Sequence, residues 1–156
     1  MKKLNQLMQR LPKGVDCGLI VSPCNRRYFT RFSSTDGALV VMRDKTYFLV
    51  DFRYYEKAAQ QIQGCEVILM ERLYEQLREL LAKHQCVTVA VENDRMTLAQ
   101  FNRFKRELPD CRLDGSDRLT QLIETLRIQK TPDEIYEILT AQELTERAFE
   151  HVLGFI

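Results

Sequence analysis

Apolar residues along this chain switch between two periods. Leu4, Leu7, Met8 and Leu11 keep the spacing of one helical face and stop at Pro12-Lys13-Gly14, so an amphipathic helix ends there. Cys17-Gly-Leu-Ile-Val21 is a short apolar run between turn formers and predicts a buried strand. Ser22-Pro23 places an N-cap residue before a proline at the first helical position, opening a helix through Tyr28 to about Arg31. After the polar loop Ser33-Ser34-Thr35-Asp36-Gly37, the runs Ala38–Met42 and Tyr47–Val50 flank Arg43-Asp44-Lys45-Thr46. Two apolar runs joined by four polar residues predict a β-hairpin. Phe52–Gln63 is helical, with Gly64 as its expected C′ residue. Val67–Met70 predicts a strand, and Leu73, Leu77, Leu80 and Leu81 a helix ending near His84. Val87–Val91 is rich in β-branched residues, hence a strand. Leu98, Phe101, Phe104 and Leu108 mark a helix stopped by Pro109, and a short strand is expected at Cys111–Leu113.

This order alternates helices and strands, interrupted by one hairpin. The fold class is therefore α/β: a mixed sheet flanked by helices, with a C-terminal helical extension. From Ser116 onward the pattern is helix only. Arg127-Ile-Gln-Lys130 reads as a polar hinge and Thr131-Pro132-Asp133-Glu134 as a helix start. Charge shifts at the same place. Residues 1–126 hold 20 basic and 16 acidic groups, residues 127–156 hold 3 and 6. These signals predict an N-terminal αβα domain over 1–126 and a separate element over 127–156.

The last helix is apolar over too much of its circumference. Ile135, Ile138, Leu139, Ala141, Leu144, Ala148, Phe149, Val152 and Leu153 spread over roughly 220° of a helical wheel, against the ~100° one neighbour buries. The chain ends on Gly154-Phe155-Ile156. It reads as cut from a longer one.

Composition narrows the function classes. With 45% hydrophobic and 29% charged residues among 156, the chain is globular, neither disordered nor low-complexity. A formal charge of +1 supplies no global field for nucleic acid or anionic lipid. Met1-Lys2-Lys3-Leu4 resembles a signal n-region but is followed by Asn5 and Gln6, not an apolar stretch. No run of ~18 apolar residues exists to span a membrane. Five cysteines (Cys17, Cys24, Cys65, Cys86 and Cys111) are odd in number, widely spaced and without CxxC, which suits reduced thiols in a cytoplasm.

Few residues suggest chemistry. Asp51 and Glu92 follow predicted strands and Asp16 precedes one; such acids either hold Mg²⁺ for a nuclease or cap helices and end strands. His84 and His151 lack a second ligand at metal spacing and read as helix residues. Cys24, beside Asn25, Arg26 and Arg27 at a helix start, is the one candidate nucleophile, without a histidine nearby in sequence. The basic groups Arg26, Arg27 and Arg31 and Arg103, Lys105 and Arg106 sit among aromatics. They read either as a nucleic-acid surface or as the solvated backs of two core-facing helices.

Asn25-Arg-Arg-Tyr-Phe-Thr30, then Gly37-Ala-Leu-Val-Val41, then Tyr47-Phe-Leu-Val-Asp51-Phe-Arg-Tyr54 with Ala58-Ala59 resembles the N-terminal domain of the creatinase/prolidase family of pita-bread metallopeptidases. Leu126-Arg-Ile-Gln-Lys130-Thr-Pro-Asp-Glu-Ile135 resembles that family's entry into its catalytic domain. The resemblance implies an RNase H-like αβα domain followed by the first helix of a truncated catalytic domain. It also implies a parent enzyme, an Xaa-Pro aminopeptidase or dipeptidase, whose divalent metal pair, expected to be manganese, is held by two Asp, one His and two Glu of the later domain. No catalytic or metal residue carries over to this chain, and no cofactor is expected in it. The implied partners are the chain's own catalytic domain, a second copy in a homodimer or higher oligomer, and proline-containing peptides. Neither nucleic acid nor membrane is among them.

Because family N-terminal domains lie near a neighbouring active site, Asp36 and Arg31 are the expected substrate-access residues. One departure stands out: where the family reads Tyr-Leu-Thr-Gly-Phe, this chain has Tyr28-Phe-Thr-Arg31-Phe32. A positive φ at Arg31 would cost ~1–2 kcal/mol. The competing expectations are a free-standing RNase H-like module that binds nucleic acid or a partner protein, and a nuclease using Asp51 or Glu92.

Overall fold

A computed structural model describes residues 2–155. Met1 of the lysine-rich start and Ile156 of the apolar end lie outside the described residues. The chain divides into two compact units, Met1–Leu126 and Arg127–Ile156.

In the first unit the elements are α1 (Lys2–Gln9), β1 (Cys17–Ile20), α2 (Pro23–Thr30), β2 (Ala38–Met42), β3 (Thr46–Val50), α3 (Phe52–Gln61), β4 (Glu66–Leu69), α4 (Leu73–Lys83), β5 (Thr88–Val91), α5 (Leu98–Glu107) and β6 (Arg112–Asp114). Next comes α6 (Arg118–Ile128). The strands form one sheet in the order β4-β3-β2-β1-β5-β6. β1 pairs antiparallel with β2, and β2 antiparallel with β3, whereas β3–β4, β1–β5 and β5–β6 are parallel. Five strands thus share one direction and β2 opposes them, the mixed sheet that the hairpin implies.

Strand residues alternate between two cores, because successive side chains leave opposite faces of the pleat. Ile20, Leu39, Val41, Phe48, Val50 and Ala90 face one side, where Leu4 and Leu7 of α1, Phe29 of α2, Ala58 of α3 and Leu119 and Ile123 of α6 cover them. Cys17, Leu19, Val40, Tyr47, Leu49, Val89 and Val91 face the other, under Leu77, Leu80 and Leu81 of α4 and Phe104 of α5. Burying each large side chain contributes ~1.5–3 kcal/mol. Gly18 of β1 permits the close approach of α6, since a Cβ there would lie 3.2 Å from Leu119 Cδ1.

Two local expectations need correction. Helix α3 stops at Gln61, and Ile62 leaves it in an extended conformation to bury its side chain. Gly64 does have positive φ (85°), but it sits two residues past that cap and is not the C′ residue. Strand β6 begins at Arg112 rather than Cys111, where the Arg112 amide donates to the Val87 carbonyl at 2.7 Å.

The second unit contains α7 (Pro132–Leu153). Its start is closed by a capping box: the Glu134 amide donates to Thr131 Oγ1 and the Thr131 amide to Glu134 Oε2. Ile135, Ile138, Leu139, Leu144, Phe149, Val152 and Leu153 on α7 are all exposed. No helix among the described residues is long and apolar enough to cross a membrane.

Candidate functional site

The carboxyl ends of the like-directed strands form the edge where ligands gather in α/β sheets. Asp51, Glu92 and Asp114 stand at that edge, after or at the ends of β3, β5 and β6. Each is committed to protein donors. Asp51 caps α3, accepting from the Arg53 amide at 3.0 Å and its guanidinium at 2.5 Å. The Arg53 side-chain hydrogen bond holds the Asp51 carboxyl below its usual range. Asp114 accepts from the Ser116 amide and from Arg118. At the opposite edge, Asp16 accepts from the Val87 and Thr88 amides at 3.0 and 2.8 Å and so ties the start of β1 to β5.

Glu92 is fully buried. Its Oε2 accepts from the Val21 and Ser22 amides at 2.7 and 2.9 Å; its Oε1 accepts from Ser22 Oγ at 2.5 Å and Asn25 Nδ2 at 2.6 Å. Among the described residues no three His, Cys, Asp or Glu side chains are grouped so as to hold a metal ion. Asp16, Asp51, Glu92 and Asp114 do not fit a divalent metal pair, because their oxygens already accept hydrogen bonds from separate protein donors. They act as caps and strand ties.

The Glu92 network redirects α2. Ser22 occupies the N-cap position but makes no side-chain cap, since its hydroxyl donates to Glu92 instead. One turn on, Arg26 is only 2% exposed. Its guanidinium donates to the Gly37 and Ser34 carbonyls. The expectation of a solvated basic group at Arg26, Arg27 and Arg31 therefore fails at its first member. Arg31 ends α2 in the left-handed region (φ 58°, ψ 18°), with its amide donating to the Arg27 carbonyl. The strained turn that the missing glycine predicts is present.

Between the N-terminus of α2, the loop before β2 and α3 lies an open pocket of about 450 Å³, lined by Pro23, Cys24, Arg27, Ser33, Ser34, Thr35 and Tyr54. Thr35 Oγ1 and the Tyr54 hydroxyl are 3.3 Å apart across it. Of the sequence-predicted access residues, neither Asp36 nor Arg31 lines this pocket. Asp36 is exposed and its Oδ1 accepts from the Gly37 amide at 2.8 Å. Sequence reasoning found the loop and Cys24 but missed Tyr54, although Tyr54 closes the Asp51–Tyr54 stretch singled out above.

The remaining candidates disperse. Cys24 is exposed, whereas Cys17 and Cys86 are buried and Cys65 and Cys111 half-buried. Burial pushes the Cys65 and Cys86 thiols up to about 11. His84 caps α4 and places Nε2 2.7 Å from the Tyr47 hydroxyl, a half-buried contact rather than a plain surface position. His151 near the end of α7 meets the Phe155 ring just beyond it edge-on. Arg103 lies over the Tyr74 ring, and Arg106 meets Glu107.

Residues 1–129 match the Creatinase/Prolidase N-terminal domain. The uncharacterized peptidase YqhT of Bacillus subtilis (strain 168) is 30% identical over 157 residues, covering 100% of this chain and 43% of that protein. The Xaa-Pro dipeptidase from Bacillus anthracis superposes with a TM-score of 0.89 at 28% identity, over 100% of this chain and 43% of its own. The X-Pro aminopeptidase from Thermotoga maritima MSB8 does so at 0.80 and 25% identity, over 92% of this chain and 42% of its own. This chain spans less than half the length of each of these relatives. The match over residues 1–129 shows that the chain belongs to the Creatinase/Prolidase N-terminal domain family.

Proposed function

We propose that this chain is the non-catalytic N-terminal domain of a longer, cytoplasmic Xaa-Pro peptidase, an enzyme that hydrolyses the peptide bond preceding proline. The observation that carries this reading is the end-to-end likeness to the Bacillus anthracis Xaa-Pro dipeptidase, all of this chain against 43% of that one. The boundary falls at 126/127, and α7 is the first helix of the catalytic domain. The divalent metal pair, manganese by the family resemblance, belongs to that domain. When bound there, it would supply Lewis-acid activation of water and of the scissile carbonyl.

This domain contributes two things. Its loop Ser33–Gly37, with Asp36 and Arg31, shapes substrate access; the pocket lined by Ser33, Ser34 and Thr35 supports the role of the loop, and that of Asp36 and Arg31 rests on the family resemblance. It also takes part in subunit association, most simply as a symmetric homodimer; in the 156-residue chain, where the rest of the catalytic domain is missing, the exposed apolar residues of α7 add unburied surface to that contact. The test uses the 156-residue chain and the longer reading frame side by side. The short chain leaves Xaa-Pro peptides intact with or without Mn²⁺, and the long one cleaves them with Mn²⁺. Turnover that follows the short chain through its final column would end this reading. Light scattering on the 156-residue chain and on residues 1–126 checks the association: the first is a dimer, the second dissociates at lower dilution.

A further inference from the structure

We propose that Arg26 is a positioning residue: it holds the loop Ser33–Gly37 as a wall of the α2 pocket, and thereby governs how tightly peptides bind rather than how fast they are cleaved. The second half rests on the substrate-access reading above; the first stands on this chain alone.

Arg26 puts a guanidinium where only 2% of the residue meets solvent. Burial pulls its pKa down, and the charges of Asp36 and Glu92 pull it back up; an arginine so placed stays charged. Neither carboxylate accepts its hydrogen bonds. Both of its side-chain hydrogen bonds go to main-chain carbonyls of one loop, Nη2 to Ser34 at 3.0 Å and Nη1 to Gly37. A planar fork can join two carbonyls three residues apart, whereas an ammonium is a point charge and cannot span them in the same way.

The side chain is anchored at its root. Asn25, its neighbour in α2, and Ser22 at the helix start both donate to Glu92. The loop it grips is pressed against the sheet: Gly37 has φ 134°, and a Cβ there would stand 2.5 Å from the Leu49 carbonyl oxygen. Between the two gripped carbonyls the chain has little freedom. Ser33, Ser34 and Thr35 of the same loop line the pocket, and Thr35 reaches Tyr54 on its far side. Arg26 is thus the link between the buried Glu92 network and the pocket wall, which it holds through the Ser34 carbonyl without itself lining the pocket.

Arg26→Met and Arg26→Lys in the 156-residue chain test the grip. Arg26→Met raises subtilisin cleavage between residues 32 and 37 by about tenfold or more, and Arg26→Lys by less, because two charge-assisted bonds close the loop. Cleavage in the Arg43–Lys45 turn stays at its original rate, which separates a loosened loop from a weakened fold. In the longer peptidase the same substitutions raise KM roughly three- to tenfold and leave kcat within about twofold.

Unchanged loop cleavage, cleavage that rises equally at both turns, or unfolding of both variants overturns the role of Arg26. The access reading then still stands or falls on Asp36→Ala kinetics. A loosened loop with unchanged KM overturns the binding half and the access reading with it.

Discussion

The six-stranded sheet and the helix α7 are both rich in large apolar side chains, yet they end in opposite states. In β1, β2, β3 and β5 every residue is buried, and alternate positions serve two separate cores. On α7, Ile138, Leu139, Leu144 and Phe149 remain more than half exposed. The difference is one of long-range partners. A strand is completed by neighbours brought from distant parts of the sequence, whereas a helix closes its backbone hydrogen bonds within itself. With a proline at its first turn and a Thr131–Glu134 capping box, α7 has all it needs locally. Helix formation therefore says nothing about whether its apolar face is covered.

Substitution breaks or sharpens that contrast. Phe48→Ala removes a fully buried ring and lowers stability by about 3–5 kcal/mol in urea denaturation. The chemically identical Phe149→Ala shifts the midpoint by less than about 0.5 kcal/mol. Equal losses at the two positions would show that α7 belongs to the same cooperative core.

A second expectation concerns polar rather than apolar burial. Glu92→Ala leaves the Val21 and Ser22 amides and two side-chain donors without their acceptor. At about 1–3 kcal/mol per buried group left unpaired, and with some relief from entering water, the loss is about 3 kcal/mol in the same titration. The exposed Glu75 on α4 serves as its counterpart; Glu75→Ala removes a surface ion pair with Arg72 and changes stability by less than about 1 kcal/mol.

Arg31→Gly tests the strained turn. The left-handed conformation (φ 58°) is disfavoured for a side chain with a Cβ, so glycine raises stability by up to about 1 kcal/mol, read as an increase in Tm. A fall in Tm would mean that contacts of the arginine side chain outweigh the backbone strain.

The smallest effect is acidic. Burial pushes the Asp114 carboxyl up, but hydrogen bonds from Ser116 and the Arg118 guanidinium outweigh it and hold the group below its usual value. Its folded pKa is therefore depressed, so its contribution is complete above the unfolded value near ~3.9 and is lost as pH falls through the folded one. With Arg118 partly exposed, the contribution is at most about 1 kcal/mol. Asp114→Asn should lower stability at pH 7 and converge with the parent chain by about pH 2; curves that stay parallel to that point would exclude this ion pair as a source of acid sensitivity.

The order of elements was legible because each carries a local signature. The helix start at Ser22-Pro23, the turn after Met42 and the β-branched strand ending at Val91 appear within one residue of where short-range rules place them: Thr46 already belongs to β3, and Val87 stays outside β5. The strained turn at Arg31 was also legible, since it follows from one residue standing where a glycine is usual. The pocket was less so. The polar loop Ser33–Gly37 announced itself by composition, but Tyr54 joins it only because α3 follows β3 at the same edge of the sheet.

By itself the sequence determined the helices, the strands, the hairpin and the change of character after Leu126, all of which depend on periodicity, caps and turn residues within a few positions. Only the tertiary structure decided what the charged residues do. Arg26 and Arg27 are adjacent and chemically identical, yet Arg26 is buried against two loop carbonyls and Arg27 lines an open pocket. Glu92 reads from sequence as either a metal ligand or a cap at a strand end, and in the structure it accepts from the Ser22 amide and hydroxyl at the start of α2. The physical reason is that a charge has no intrinsic address along a chain. Its role is set by which donors and acceptors the fold brings within about 3 Å, and those partners lie as many as 123 residues away, as Lys3 and the Leu126 carbonyl do.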